Sequence, residues 1–122
     1  MSLTSVLTQA ELEYLATRVT ARIATASRAG VPDVATVAFA LEGESLIVGG
    51  ADLLATARFR NLMSNPRATV IVDEDPPAHS RSPRGVKAHG HAAIEQRPGG
   101  AIIRVTPEAV VSWDINPPAG SA

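Results

Sequence analysis

Two features of the chain could do chemistry: arginines set in acid-poor stretches, and a hydroxyl followed closely by guanidinium groups at a helix start. Of the 11 basic side chains, 10 are arginine and Lys87 is the exception. Arginine's planar fork holds phosphate or carboxylate through paired hydrogen bonds, although GC-rich codon usage produces the same bias. Between Ser45 and Val72 the only acid is Asp52, against Arg58, Arg60 and Arg67. Between Pro76 and Pro107 the only acid is Glu95, against Arg81, Arg84, Lys87, Arg97 and Arg104. Two cationic stretches in a near-neutral chain fit a small anionic ligand. The run Thr56 to Asn61 (Thr-Ala-Arg-Phe-Arg-Asn) sits where free helix N–H groups and the helix dipole favour phosphate. Ordinary capping with solvated arginines is the competing reading.

Other constellations offer less. His89 and His91 are two apart on an expected strand and share a face, but no third ligand lies nearby, so no metal site is expected. His79 falls in a proline-rich loop. Asp73, Glu74 and Asp75 form an acidic run that suits either a carboxylate pair or a solvated strand end. No G-x-S-x-G, G-x-G-x-x-G or Walker loop occurs, and Gly49-Gly50 reads as a strand end. Trp113, the single tryptophan, is a core or interface anchor or a platform beside a planar ring. With no self-sufficient acid–base set and hence no catalytic residue assigned, an enzyme of this sequence would rely on a bound cofactor.

The elements that position these residues follow from periodicity. Thr8 and Glu11 have capping-box spacing, with Leu7 and Leu12 as the hydrophobic staple, opening a helix over 7–19 whose apolar stripe is Leu12, Leu15, Ala16 and Val19. Alternating segments at 20–27, 34–41 and 45–49 make an antiparallel meander. A short helix is expected over 52–63, ended by Asn65-Pro66. Strands follow at 67–72, 85–95, 101–106 and 110–115, separated by a loop over 75–83 with three prolines and by the turn Pro98-Gly99-Gly100. Six or seven antiparallel strands with two short helices predict a mainly β barrel, which leaves no exposed edge.

Composition bounds the function classes. The chain has 122 residues, enough for one domain, expected over 1–115 with a disordered tail over 116–122. A net charge of -1 argues against nucleic acid as a partner. The absence of cysteine excludes disulfides, thiolate metal sites and thiol nucleophiles. No apolar run reaches the ~20 residues that span a bilayer, and Met1 to Thr8 lacks a signal-peptide pattern, so a cytoplasmic location is expected. Alanine supplies 21 residues and aromatics only 3%, a core thin in large side chains that would gain from a partner subunit.

In this order and spacing the motifs resemble the pyridoxamine 5'-phosphate oxidase-like split β-barrel family, in its actinobacterial branch that uses the deazaflavin coenzyme F420. The resemblance runs through Leu7 to Leu15, Arg22 to Thr25, Phe39, Gly49-Gly50 and Thr56 to Asp73. It continues in Pro83-Arg84-Gly85-Val86-Lys87-x-x-Gly90, Ile103-Arg104-Val105-x-Pro107 and Val111-Ser112-Trp113. It implies a homodimer with a flavin or deazaflavin ring in the subunit groove and a small-molecule substrate. It further implies that Thr56 and Arg58 hold the cofactor phosphate. Val34, Thr36, Val37, Gly49 and Gly50 would line the ring, and Arg84, Lys87 and Trp113 would approach from the other subunit or the barrel side. Arginines at the groove mouth (Arg60, Arg81, Arg84) would favour F420's acidic tail. The implied activity is hydride transfer from reduced F420 to an electron-poor small molecule. FMN in the same fold and a non-catalytic flavin or haem carrier are the alternatives. Ala57 departs from the family, in which a basic residue often stands there. The chain also stops soon after Trp113, so pyridoxamine phosphate oxidation itself is not expected.

Overall fold

The computed structural model describes residues 6–50, 52–75 and 83–115. The proline-rich loop with His79 and Arg81, and the tail from Asn116, lie outside the described residues. In chain order the elements are α1 (Gln9–Ala16), β1 (Thr20–Ala26), β2 (Pro32–Glu42), β3 (Ser45–Val48), a 3-10 turn (Leu53–Ala55), α2 (Ala57–Ser64), β4 (Arg67–Asp73), β5 (Gly85–Arg97) and β6 (Gly100–Trp113). The six strands close in the order β1-β2-β3-β6-β5-β4, every neighbouring pair antiparallel. The mainly β barrel with two helices is thus the fold that the sequence predicts.

The capping box forms. Thr8 Oγ1 accepts from the Glu11 amide at 3.1 Å, and the Glu11 carboxylate accepts from the Thr8 amide at 2.8 Å. The other Glu11 oxygen accepts from Ser112 Oγ at 2.6 Å, so this buried carboxylate also pins α1 to β6. α1 ends three residues before the expected Val19. The Thr17 and Arg18 amides turn back to Tyr14 and Leu15, and the Val19 carbonyl already accepts from Phe39 of β2. Val19 is therefore 71% exposed rather than part of the apolar stripe.

Alanine explains how so small a barrel fills. Ala21, Ala68, Ala88 and Ala92 face inward among valines and isoleucines, where larger side chains would overfill the interior. The two last strands expected from the sequence are one continuous strand, which makes six strands among the described residues. Pro107, which has no N–H to give a ladder, sits at a bulge: pairing steps from His89 with Ala109 to Gly90 with Pro107, leaving Glu108 over. The bulge requires a glycine opposite, because a Cβ on Gly90 would stand 2.0 Å from the Thr106 carbonyl oxygen.

Candidate functional site

The helix expected from residue 52 is broken in two, and the break builds the site. Asp52 takes a left-handed backbone (φ 56°), the 3-10 turn follows, and Thr56 is extended at φ -91°, ψ 156° before α2 begins. Thr56 Oγ1 accepts from the Phe59 amide at 3.2 Å and donates to the Leu53 carbonyl at 2.6 Å. Its hydroxyl is thus spent on the cap. The first amides of α2, Ala57 and Arg58, have no acceptor within the helix and sit at its positive end.

Arg58 stands out electrostatically. Its Nε is buried without a hydrogen-bond partner, an arrangement that costs free energy unless a ligand supplies the acceptor. Gly50 (φ 144°) lies against it, since a Cβ there would come within 3.4 Å of the Arg58 guanidinium. Glycine is needed for that backbone conformation and leaves the guanidinium open on that side. Gly50, Arg58 and the start of α2 therefore converge, beside a cavity of about 420 Å³ lined by Gly50, Asp52, Leu53 and Ala101. Arg60 is exposed and gives one hydrogen bond, at 3.3 Å, to the Ala55 carbonyl. Neither Arg58 nor Arg60 makes an ion pair among the described residues.

The second cationic stretch is different, because acids pair with three of its arginines, Arg84, Arg97 and Arg104. Arg97 and Arg104 share Glu42 and Glu95; Arg104 reaches Glu42 at 2.8 Å and Arg97 reaches it at 2.9 Å. Hydrogen bonds from Arg97 first and then Arg104 hold the Glu42 carboxyl down to about 2. Arg84 pairs with Glu74 at 3.0 Å and lies over the Tyr14 ring, 5.0 Å from its centroid. Burial raises the Tyr14 hydroxyl, and the Glu74 charge adds to it. Asp73 pairs with Arg22. The acidic run at 73–74 is a set of ion-pair partners.

The ring-lining candidates separate by strand parity. Val34 and Thr36 point outward, Val34 63% exposed, whereas Val37 faces the barrel interior at 7%. Successive strand residues alternate faces, so Val37 is corrected to a core residue that cannot share a surface with the other two. Gly49 is half-buried at the end of β3. Arg84 and Lys87, at the start of β5, and Trp113, opposite them at the end of β6, lie far from α2. Gly85 pairs with Asp73 and Trp113, while Pro66, just past α2, accepts from the Ala92 amide at 2.9 Å. Seven strand residues separate these levels, roughly 20 Å, so one protomer does not bring the two groups together. Trp113 covers Gly85: a Cβ there would fall 2.2 Å from the indole.

The sequence reading assigned no role to His89, whose ring the structure fixes. Its Nδ1 is 2.8 Å from Oγ1 of its cross-strand partner Thr69, on the outer face of the barrel. The parity of His89 and His91 was legible; the cross-strand partner was not. No three His, Asp or Glu groups among the described residues could hold a metal. No helix among them is long and apolar enough to cross a membrane.

The described residues thus form a closed antiparallel barrel with an arginine left unpaired at the start of its mid-chain helix. The model of the family "Pyridoxamine 5'-phosphate oxidase" matches residues 7–114, and the chain belongs to that family. A 5a,11a-dehydrotetracycline/5a,11a-dehydrooxytetracycline reductase from Streptomyces rimosus is 32% identical over 118 residues, covering 88% of this chain and 83% of the relative. Among solved structures, an F420 reductase superposes with a TM-score of 0.66 at 22% identity, over 81% of this chain and 94% of its own. A FAD-binding protein from Mesorhizobium loti superposes with a TM-score of 0.71 at 19% identity, over 88% and 94%. Likeness to these structures shows the shared fold.

Proposed function

We propose that the protein is an oxidoreductase in which a flavin-type cofactor, coenzyme F420 by preference over FMN, binds with its phosphate at Arg58 and the start of α2. The observation that carries this reading is the buried, unpartnered Arg58 Nε beside the glycine backbone of Gly50. That donor set fits a phosphate: a fork-shaped cation that no described carboxylate pairs with, and free first-turn amides, with Asp52 the one acid lining the adjoining cavity. Arg60, exposed two residues further and on the other side of α2, adds positive charge at the same end of the helix, where F420's acidic tail would run. The chemistry that the bound, reduced cofactor supplies is hydride delivery to an electron-poor acceptor such as an enone or quinone. A relative named as a reductase of dehydrotetracyclines supports that class of acceptor.

The protein's part is to bind, orient and exclude water. Thr56 fixes where α2 starts and hence where Arg58 points. Val34 and Thr36 offer a flat outer surface on β2 for the ring. That surface continues through the register: Thr36 lies beside Arg22, Arg22 beside Ile71, Ile71 beside Lys87, and Lys87 beside Val111. Val34 and Val111 at its ends are 63% and 54% exposed, apolar area that a second copy of the chain would bury. A homodimer formed through this face would bring Lys87 and Trp113 of one copy toward the α2 start of the other, which one protomer alone does not do. The reading is tested by mixing the protein with reduced F420 and menadione and following reoxidation by absorbance. Protein-dependent reoxidation lost in Arg58→Met is the expected result; binding of F420 without turnover would instead mark a carrier.

A further inference from the structure

A second concavity lies on the outer wall, where β1, β4 and β5 meet, with a volume of about 360 Å³. Its apolar wall is Ala24, Ala26 and Pro32; its polar wall is Asn65, Thr69 and His89. Small side chains at the strand positions leave the sheet surface flat, as a planar molecule requires. The single cation at its rim, Arg67, is held by Glu108 at 2.8 Å, so the groove offers no net charge to a phosphate or carboxylate. Hydrogen-bond donors are what it offers. Thr69 Oγ1 and His89 Nδ1 are 2.8 Å apart, and Nε2 of the same ring has no partner among the described residues. In the tautomer whose Nδ1 accepts from the Thr69 hydroxyl, the ring proton is on Nε2 and can be given to an acceptor atom. The groove also adjoins the surface assigned to the cofactor ring, because Ala24 pairs with Val34 on one side and with Thr69 on the other.

We infer that this groove holds the electron acceptor, a neutral planar conjugated carbonyl compound whose oxygen accepts a hydrogen bond from His89 Nε2. The inference rests on the oxidoreductase reading for the word acceptor, but not for the binding itself. A groove of this size has room for a molecule of two or three fused rings. Thr69 is a positioning residue: its contact with Nδ1 fixes the ring plane. Asn65 donates to the Ala26 carbonyl at 3.4 Å and so shapes the rim rather than binding.

Menadione, a neutral quinone, is the probe, and the chain has no cysteine for it to alkylate. In the wild-type protein without cofactor, menadione should shift the His89 imidazole resonances and leave those of His91, two residues on and exposed, in place. His89→Gln should weaken menadione binding at least tenfold, and Thr69→Val should weaken it and change the tautomer signature of the His89 ring nitrogens. Both variants should bind F420 as the wild type does. Unmoved His89 resonances, or His89→Gln binding menadione undiminished, overturns the inference. Menadione bound at His89 with no turnover by reduced F420 keeps the groove and removes the oxidoreductase reading instead.

Discussion

Replacing Arg58 with methionine should make the protein more stable and less able to bind its anion. Methionine keeps most of the stem's packing and deletes the guanidinium. In the free protein the buried Nε makes no hydrogen bond, and an orphaned buried donor costs about 1–3 kcal/mol. Because Arg58 is only half-buried, the low end applies. Arg58→Met should therefore gain about 1 kcal/mol in urea unfolding, or roughly 3–6 °C in melting temperature for a domain of this size. A hydrogen bond to a charged group contributes about 1.5–3 kcal/mol, which at tenfold per 1.4 kcal/mol is roughly a 10- to 150-fold loss in affinity for F420 or inorganic phosphate. Calorimetric titration and urea denaturation on the same preparations read both numbers. A variant that loses stability while keeping its affinity would refute the reasoning, since Arg58 would then be a structural residue.

Three further outcomes follow from the barrel itself. Gly90→Ala places a Cβ 2.0 Å from the Thr106 carbonyl oxygen, and the strand shift needed to relieve it should cost about 1–3 kcal/mol, read by urea unfolding. Gly85→Ala drives the indole of Trp113 off the strand, since the new Cβ would lie 2.2 Å from it; the Trp113 emission should move to longer wavelength. Glu42 titrates at about 2 in the folded protein against 4.5 otherwise. A depressed carboxyl stabilises above its unfolded value and loses that contribution as pH falls through the folded one. Wild-type unfolding midpoints should therefore drop between pH 4.5 and 2 more steeply than those of Glu42→Gln.

Local rules made much of this molecule legible. Thr8 and Glu11 announce the start of α1 because a capping box is a contact between residues three apart, and alternation marks the strands at 20–27 and 34–41. Parity also shows why Val37 was misplaced: a set of ring-lining residues that includes both 36 and 37 cannot share one face of a strand. The strands expected at 101–106 and 110–115 are one, because the bulge at Pro107 that joins them depends on Gly90, far away in sequence. The same limit governs charge. Arg97 and Arg104 looked available until Glu42, more than fifty residues away, closed on them, while Arg58 and Arg60 remained unpaired. Sequence showed where cations are; only the folded barrel shows which of them still lack a partner.

The most direct test of the central claim is a parallel titration of the purified protein with oxidised F420 and with FMN, following quenching of Trp113. The expected result is saturable quenching by F420, tighter than by FMN, with the F420 curve displaced to higher concentration in Arg58→Met. Saturation by neither ligand, or an F420 curve unchanged by Arg58→Met, would contradict a cofactor phosphate held at the start of α2.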